Sequence, residues 1–349
     1  MPGSKKAFLF ARWALLLLLA ASVVHAQDQP AAPSKGLRIG FLMDSLRIER
    51  WQTDLDHFQK RAGELGAEVL VETAEGDDEV QLRQAQKLLS AGVKSLVLVP
   101  HDAEKAVRIV AEAKAKQVPL LCYERLVRDP NVSFFVGVDA SAIGFLQATS
   151  LTQMAPKGNY VLIAGSPADL NAKILHDAQW RVLKPMADRG DIKVISDTWS
   201  KDCEAYAHMT EAIESARGNI TAVVASNDGT AGGAIQALAE HNLAGKALVS
   251  GQDADLAAII RILDGTQTMT VYKPLGSQAN LAAEAAVALA KGEPVKSAVS
   301  FTVGNKAIPA ILLPPVVVTK DNVKETVIKD GFQNLETIQK SLPKEKWPQ

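Results

Sequence analysis

The sequence predicts an α/β protein built from two doubly wound parallel-sheet domains, and three observations lead to this class. The chain has 349 residues, which is enough for about two domains of ordinary size. Its composition, 47% hydrophobic but only 5% aromatic, is typical of layers rich in Ala, Val and Leu. From Leu37 onward, short apolar runs alternate with longer amphipathic stretches, as a parallel sheet covered by helices on both faces requires.

Residues 1–26 are predicted to be a secretory signal peptide rather than part of the fold. Three basic residues precede an apolar run from Trp13 to Val24, and the small residues Val24 and Ala26 suit a signal peptidase. The run has about a dozen residues, whereas a membrane-spanning helix needs about 20. We expect cleavage after Ala26, which removes three positive charges and so shifts the net charge from −1 to −4. Residues 27–36 are expected to be a disordered leader.

The first predicted domain starts with an apolar strand over residues 38–43. Its other strands are expected at 67–72, 95–99, 119–123 and 133–138. Its helices are expected after the first strand as far as about Leu65, and then at 78–89 and 103–116. Gly66 follows the first helix, where a glycine readily takes the left-handed conformation that ends a helix.

The same pattern restarts after Asp139 and predicts the second domain. Its strands are expected at 160–164, 192–195, 222–225, 247–249 and 268–272. Its helices are expected to end near Gln153 and Ser215 and to cover 171–184, 231–240 and 255–263. Pro274 breaks the pattern, and an Ala-rich helix is expected over 278–291. Residues 301–318 contain three prolines and are expected to be extended without forming a central strand.

Composition and motifs argue against several classes of function. The chain has 38 Lys and Arg residues against 39 Asp and Glu residues, so it lacks the positive surface that nucleic-acid binding needs. It contains no phosphate-binding loop, dinucleotide-binding glycine motif, zinc-protease motif or nucleophile elbow. Its histidines are scattered without the spacing of metal ligands. We therefore expect neither a metal ion nor a cofactor.

Polar side chains of mixed type follow the predicted strands. Open parallel sheets bind ligands beyond the carboxyl ends of their strands, so two facing domains would place these residues around a common cleft. They include Asp44, Trp51, Glu124, Arg125, Asn171, Asn227, Asp253 and Lys273. Carboxylates, cations and amides around an indole ring are the groups that recognise a sugar. The alternative is that the Asp and Asn residues only cap the following helices, which would not account for the indole and the cations.

Several longer stretches of the chain resemble one family of proteins. The matching segments are Leu46–Gln52, Ala222–Leu238, Ser250–Ala258, Gly265–Pro274 and Thr326–Gly331. They make the chain similar, over about residues 37–331, to periplasmic sugar-binding proteins of the type I solute-binding family. The resemblance implies two lobes joined by a three-crossover hinge, with the ligand cleft between them. The lobes would be residues 37–139 plus 275–313 and residues 140–274 plus 314–335, followed by a flexible tail over 336–349.

The resemblance assigns ten positions of this chain to the ligand site. Arg50 and Trp51 would form the lip of the cleft, with the Trp51 indole stacked on the sugar ring. Five positions would provide hydrogen bonds, and these are Arg125, Asn171, Asn227, Asp253 and Lys273. Three positions depart from the family's pattern, with Glu124 in place of an Asp, His176 in place of an Arg and Cys203 in place of a second Trp. The members that the chain most resembles bind D-xylose, which is the expected ligand, with another pentose or a hexose as the alternative.

The resemblance also implies a periplasmic monomer that passes a monosaccharide to an ABC permease in the inner membrane and is not an enzyme. A role toward a chemoreceptor or sensor kinase stays open. A repressor with this core would need a DNA-binding segment before Leu37, where the export signal lies. A secreted glycosidase would need paired carboxylates, for which Glu124 and Asp253 are the candidates. Cys122 and Cys203 are expected to stay unpaired, because a bond between them would oppose hinge motion.

Overall fold

The computed structural model describes residues 36–47, 49–167, 169–200, 204–297, 299–303 and 305–348. The predicted signal peptide, the predicted leader up to residue 35 and Cys203 lie outside these ranges. Within them, the strands are β1 Leu37–Met43, β2 Ala67–Thr73, β3 Ser95–Leu98, β4 Leu120–Tyr123, β5 Phe134–Val138, β6 Gly158–Ala164, β7 Ile192–Trp199, β8 Ala222–Ala225, β9 Leu248–Val249, β10 Thr270–Tyr272, β11 Val299–Val303, β12 Lys306–Leu313 and β13 Val316–Val318.

The helices of the described ranges alternate with these strands. They are α1 Glu49–Glu64, α2 Asp78–Ser90, α3 Val107–Ala115, α4 Ala140–Met154, α5 Leu170–Asp188, α6 Ala205–Ser215, α7 Asp228–Glu240, α8 Leu256–Asp264, α9 Leu275–Lys291 and α10 Leu335–Ser341. A short π-helix covers Lys324–Ile328. In the part of the chain that the structure describes, no helix has both the length and the apolar character needed to cross a membrane.

The first sheet has seven strands in the order β11-β12-β5-β4-β3-β1-β2. All neighbouring strands run parallel except β11 and β12, which are antiparallel. Successive side chains of β1 point to opposite faces: Phe41 packs with α1 and α9, and Leu42 packs with α2 and α3. Both faces of the sheet are therefore buried, which explains why its strands are continuous apolar runs in the sequence.

The second sheet has four parallel strands in the order β7-β6-β8-β9. Its two faces are also covered, since Val161 packs with α6 and α7 and Leu162 packs with α4 and α5. A parallel bridge between Gln252 and Val271 connects the end of β9 to β10. β10 in turn pairs with β13 in antiparallel orientation. The bridge matters for the site, because it fixes the segment that follows β9.

The chain crosses between the two sheets three times: between β5 and α4, between β10 and α9, and between β12 and β13. After the second crossover α9 returns to the first sheet, where Ala279, Ala283 and Ala286 pack with α1 and β1. The third crossover contains Pro314 and Pro315. Two sheets with helices on both faces, joined by three crossovers, confirm the predicted fold class.

One expectation about the segment 301–318 is wrong, because β12 lies inside the first sheet between β11 and β5. Pro309 lies opposite Ser300 of β11, whereas the pairing of β12 with β5 begins one residue later, at Ala310. The missing N–H of Pro309 therefore removes no ladder hydrogen bond on the β5 side. Burial of Ile308 and Ala310 between the layers favours an internal strand despite the proline.

The residues after 335 differ from the expected flexible tail. α10 packs through Ile338, which is fully buried together with Ile259 and Tyr272. Trp347 then folds back on α10, and its Nε1 donates to the carbonyl oxygens of Gln339 (3.2 Å) and Leu342 (3.0 Å). Apolar side chains four residues apart give this short segment a face to bury, which a polar tail would lack.

Cys122 lies in β4 and is a free, fully buried thiol. Burial raises the pKa of this thiol to about 12. Because the thiolate is the nucleophilic form, Cys122 is an unreactive core residue rather than a redox-active one.

We predict that Gly144→Ala destabilises the fold by overpacking the contact between α4 and α5. A Cβ atom at Gly144 would lie 2.1 Å from the carbonyl oxygen of Leu175 and 3.1 Å from the Cβ of Ala178. The backbone must shift, which costs about 1–3 kcal/mol. Urea unfolding measures the loss. The matched control is Gly63→Ala in α1, where nothing beyond the chain neighbours and the backbone of the same helix lies within 4 Å of the added Cβ, and helix propensity favours Ala. Equal midpoints for wild type and Gly144→Ala would contradict the prediction.

Candidate functional site

A cavity of about 250 Å³ lies where the carboxyl ends of strands from both sheets meet. The first sheet contributes residues from the start of α1 and from the end of β4. The second contributes residues that follow β6, β7, β8 and β9, together with the start of α5. The adjoining pair of β10 and β13 contributes Lys273, which follows β10. The lining residues are Arg50, Trp51, Glu124, Arg125, Val138, Ala140, Ile143, Gly165, Ser166, Asp169, Asn171, Ala172, Leu175, Ser200, Ser226, Asn227, Gln252, Asp253 and Lys273.

Eight of the ten residues assigned to the site from the sequence line this cavity. Of the other two, Cys203 lies outside the described residues, and His176 lies outside the lining. The lining also contains polar residues that were not assigned, among them Ser200 and Ser226. Both directly follow a strand, β7 and β8 respectively. The same strand-end rule would have found them, but a serine after a strand is too common to be singled out.

Glu124 forms the centre of the charged lining. Its Oε1 accepts hydrogen bonds from Arg50 Nη1 at 3.1 Å and from Lys273 Nζ at 2.5 Å. Its Oε2 accepts one from Gln278 Nε2 of α9 at 2.7 Å. Both oxygens are thus occupied by protein donors, and the carboxylate joins α1, the end of β10 and α9.

The same contacts determine the protonation of Glu124. Burial alone would raise its pKa, but the positive charges of Arg50 and Lys273 and the hydrogen bonds from Lys273 and Gln278 lower the pKa to about 2. Glu124 is therefore an anion at any physiological pH, and the two cations beside it are neutralised in place.

Arg50 is held from the opposite side by α1 and β4. Its Nε donates to Asp54 Oδ2 at 2.8 Å, one helical turn away, and the Tyr123 hydroxyl donates to the other carboxylate oxygen at 2.5 Å. All three side chains are buried. A fully desolvated guanidinium needs such partners on every side, so its position is fixed before any ligand arrives.

Asp253 pairs directly with Lys273 in the cavity lining, with its Oδ1 at 3.2 Å from Lys273 Nζ and 4.0 Å from Arg50 Nη1. Its backbone is unusual for a residue other than glycine, because φ is 99°. Glu124 also has a positive φ, 63°. Conformations of this kind cost of order 1–3 kcal/mol and are concentrated at functional sites, where the surroundings enforce them.

Arg125 and Trp51 form the wall on the side of the first sheet. Arg125 Nη1 donates to Asp44 Oδ2 at 2.8 Å, and Asp44 Oδ1 also contacts His101 Nδ1 at 2.9 Å. The guanidinium carbons of Arg50 and Arg125 lie 4.7 Å and 5.7 Å from the centre of the Trp51 ring. Cation–π contacts of this kind hold the indole in one orientation.

The structure separates helix capping from the other roles of these strand-end residues. Asn227 does cap α7, since its Oδ1 accepts from the Thr230 N–H at 2.8 Å. Asp44 and Asp253 instead pair with cations, as described above. Asn171, at the start of α5, donates from Nδ2 to the Glu124 carbonyl oxygen at 2.8 Å and so connects the second sheet's side of the cavity to the first.

His176 lies on α5 beyond the cavity lining. Its Nε2 contacts Asp197 Oδ1 at 2.9 Å, and its ring centre lies 4.7 Å from that of Trp199. Trp180 Nε1 donates to the other oxygen of Asp197 at 2.9 Å. The histidine therefore belongs to an aromatic cluster at the end of β7, and its assignment to the ligand site stays a prediction.

Two doubly wound sheets that are joined by three crossovers and enclose a polar cavity at their strand ends define the type I periplasmic binding protein fold. The chain belongs to the periplasmic binding protein family, whose domain model matches residues 39–294. The family resemblance drawn from the sequence is thereby confirmed.

Relatives and solved structures agree with this family. The D-xylose-binding periplasmic protein of Haemophilus influenzae is 45% identical over 328 residues, which cover 93% of this chain and 98% of that protein. The protein of the same name from Escherichia coli is 46% identical over 321 residues, or 91% of this chain and 97% of that one. The carbohydrate transporter solute-binding protein of Chloroflexus aurantiacus, solved with D-glucose, superposes with a TM-score of 0.81 at 26% identity, covering 86% and 97% of the two chains.

We predict that Glu124→Gln lowers the free energy of unfolding at pH 7 by about 3 kcal/mol, because it leaves buried cations without their shared anion. The pKa of Glu124 is depressed to about 2 from the ordinary 4.5. Its contribution is therefore present above about pH 4.5 and is lost as the pH falls toward 2. Urea unfolding from pH 7 to pH 3 should show the difference between variant and wild type shrinking with acidity.

The control for this substitution is Glu64→Gln, which also alters an arginine pair but on the exposed face of α1, where Glu64 contacts Arg61. Exposed pairs contribute little, so this variant should unfold like the wild type at every pH. A Glu124→Gln protein as stable as the wild type at pH 7 would show that the buried network does not depend on the carboxylate.

Proposed function

We propose that the protein is the monosaccharide-binding component of an ABC importer, with D-xylose as its ligand. The observation that carries this proposal is the charge balance of the cavity. Its lining contains three cations, Arg50, Arg125 and Lys273, and three carboxylates, Glu124, Asp169 and Asp253. A site that neutralises its own charges suits a neutral ligand with many hydroxyl groups rather than an anion or a cation.

The size and shape of the cavity support a single sugar ring. Pockets for drug-sized ligands have volumes of about 300–1,000 Å³, and this cavity, at about 250 Å³, is smaller. Trp51 offers an apolar ring face, on which the C–H face of a sugar stacks. In this proposal Asp253 accepts hydrogen bonds from hydroxyl groups, and four residues donate them: Arg125, Asn171, Asn227 and Lys273.

D-xylose is preferred over other sugars on the strength of the relatives. Proteins named for D-xylose are 45% and 46% identical to this chain, whereas the multiple sugar-binding periplasmic protein of Azospirillum brasilense is 29% identical. The structural neighbour from Chloroflexus aurantiacus holds D-glucose, so the fold also accepts hexoses. The departures at Glu124, His176 and Cys203 make another pentose or a hexose the alternative.

Binding without catalysis is part of the proposal. A glycosidase would need one carboxyl group that stays protonated as an acid and a second that acts as base or nucleophile. Glu124 has a pKa of about 2 and both oxygens engaged, so it is no proton donor near neutral pH. Asp253 is paired with Lys273. The carboxylates therefore serve as fixed acceptors.

The placement of the cavity between the two sheets supports a role in transport. We propose lobes at residues 37–139 plus 275–313 and at 140–274 plus 314–335, which close when one sugar contacts both. Ligand then shifts the population toward the closed form, which is the form presented to a permease in the inner membrane. The chain would reach the periplasm as a monomer after cleavage of the signal peptide behind Ala26.

The first test is a thermal-shift screen of the mature protein against pentoses and hexoses, followed by calorimetry. We expect D-xylose to raise the melting temperature most and to bind at one site. A ligand held at about 100 times its Kd stabilises by about 2.7 kcal/mol, which gives a shift of several degrees. D-glucuronate, which keeps a pyranose ring but carries a carboxylate, is the charged control and should give no shift. If no neutral monosaccharide stabilises the protein, the proposed function is wrong.

The second test is Asp253→Asn, which keeps the shape and tolerates the positive φ while removing the anionic acceptor. We expect the Kd for D-xylose to rise about 10- to 100-fold, the range that loss of a charge-assisted hydrogen bond gives. The fold should survive because Lys273 keeps Glu124 as its partner. Asp321→Asn, on an exposed loop after β13, is the control and should bind like the wild type. Unchanged affinity in Asp253→Asn would remove Asp253 from the site.

A further inference from the structure

Residues 250–255, between β9 and α8, form the loop that brings Gln252 and Asp253 to the cavity. Two consecutive residues of this loop have positive φ, 99° at Asp253 and 57° at Ala254. Neither is glycine, so the loop would not hold this conformation without contacts that enforce it. Those contacts identify the residue that sets the direction of Asp253.

Asp228 provides contacts on both sides of Asp253. It is the first residue of α7, is almost completely buried, and does not line the cavity. Its backbone N–H donates to the Gln252 carbonyl oxygen at 2.9 Å, and its Oδ2 accepts from the Asp255 N–H at 3.1 Å. Asp228 thus holds the loop on both sides of the strained residues, through its backbone N–H before them and through its carboxylate after them.

The remaining partners of Asp228 are donors that are themselves fixed. Gln267 Nε2 donates to Oδ1 at 2.8 Å, and the Thr270 hydroxyl donates to Oδ2 at 3.0 Å. Gln267 is not free to turn, because its Oε1 accepts from Arg261 Nε at 2.9 Å. Both oxygens of Asp228 must therefore be acceptors, a requirement that a carboxylate meets and an amide does not.

Gly251 shows how closely this carboxylate approaches the loop. A Cβ atom at Gly251 would lie 2.0 Å from Asp228 Oδ1 and 2.5 Å from Gln267 Nε2. The Asp228 carboxylate therefore packs directly against the backbone of Gly251, and a side chain at position 251 would not fit between them.

We propose that Asp228 is a positioning residue for the ligand site: its buried carboxylate holds the loop 250–255 so that Asp253 and Gln252 point into the cavity. This role rests on the proposed function of the cavity but involves no contact between Asp228 and the sugar. Asp228 would then support the site without lining it, through its contacts with the loop that contains Gln252 and Asp253.

The electrostatics distinguish this role from a contribution to stability. The charged groups that face Asp228 are Asp253 and Asp255 of the loop and Arg261 of α8. Burial first, and then repulsion from Asp253, raises the pKa of Asp228 to about 7 from the ordinary 3.8. The stability contributed by this group is present below about pH 3.8 and is lost as the pH rises through 7. The ionised carboxylate is thus unfavourable for folding, although the loop needs it as an acceptor.

The test is Asp228→Asn, measured at pH 8 by calorimetry with D-xylose and by urea unfolding. We expect the Kd to rise about 10- to 100-fold, because the NH₂ group introduced at position 228 then faces another donor, either the Asp255 N–H or Gln267 Nε2. The free energy of unfolding should stay equal to that of the wild type or increase, because a buried charge is removed. In the ligand-free protein, hydrogen exchange of the Asp253 and Asp255 amides should become faster while exchange in the first sheet is unchanged.

A rescue variant makes the interpretation specific. In the double variant Asp228→Asn with Gln267→Glu, the amide introduced at position 228 donates to the carboxylate introduced at position 267, which still accepts from Arg261. We expect this variant to recover part of the affinity, because the hydrogen bond from Gln267 Nε2 to the Met269 carbonyl oxygen (3.2 Å) is lost. Gln267→Glu alone, which sets two acceptors against each other, should lose affinity without any compensating hydrogen bond. The control is Asp102→Asn, which alters another Asp that accepts from backbone N–H groups, those of Glu104 and Lys105, away from the cavity.

Two results would overturn the positioning role. One is an Asp228→Asn protein with wild-type affinity and wild-type exchange at the loop. The other is a parallel loss of affinity and stability that the double variant does not restore, which would make Asp228 a residue of the fold. If the wild type bound no sugar at all, the proposed function would fail on its own, and the exchange measurement on the ligand-free proteins would still decide the role of Asp228.

Discussion

The ionised carboxylate of Glu124 is the interaction on which the rest of the site depends. It lies at the end of β4 and binds Arg50 from α1, Lys273 from the end of β10 and Gln278 from α9. Lys273 and Gln278 flank the second crossover, so one side chain connects the core of the first sheet to the segment that returns from the second. Removing the anion would leave two buried cations with one carboxylate each, Asp54 for Arg50 and Asp253 for Lys273, and so with less compensation for their burial.

Fixing these charges in advance also prepares the cavity for binding. Arg50 is held by Asp54 and Glu124, and the Trp51 ring lies beside two guanidinium groups. Side chains that are already ordered lose little further entropy when a ligand arrives, so more of the contact energy appears as affinity. The strained backbone at Glu124 and Asp253 is consistent with this, because positive φ values cost conformational energy and here they direct two carboxylates toward the same cavity.

The sequence predicts which residues reach the cavity better than it predicts what each one does there. Strand ends are readable because apolar runs mark the strands, and seven of the eight strand-end residues named from the sequence line the cavity. The hydrogen-bond partners of these residues cannot be predicted from the sequence in the same way. Glu124 accepts from protein donors, and His176 contacts Asp197 outside the cavity lining. The hydrogen-bond partners of Asp228 and the inner position of β12 were not foreseen, because a hydrogen-bond partner and a strand neighbour are set by residues distant in sequence.

The balance of charge in the lining explains how such a polar cavity can select against charged ligands. Every cation that faces the cavity in the described part of the chain already has a carboxylate partner: Glu124 for Arg50, Asp44 for Arg125, and both Glu124 and Asp253 for Lys273. A ligand anion would have to displace one of these partners and leave it desolvated and unpaired, which is highly unfavourable in a buried site. A neutral hydroxyl group can share the existing donors and acceptors without separating any pair. If the cavity is the sugar site, as we propose, the same ion pairs that stabilise it would also make it specific for uncharged, hydroxyl-rich ligands.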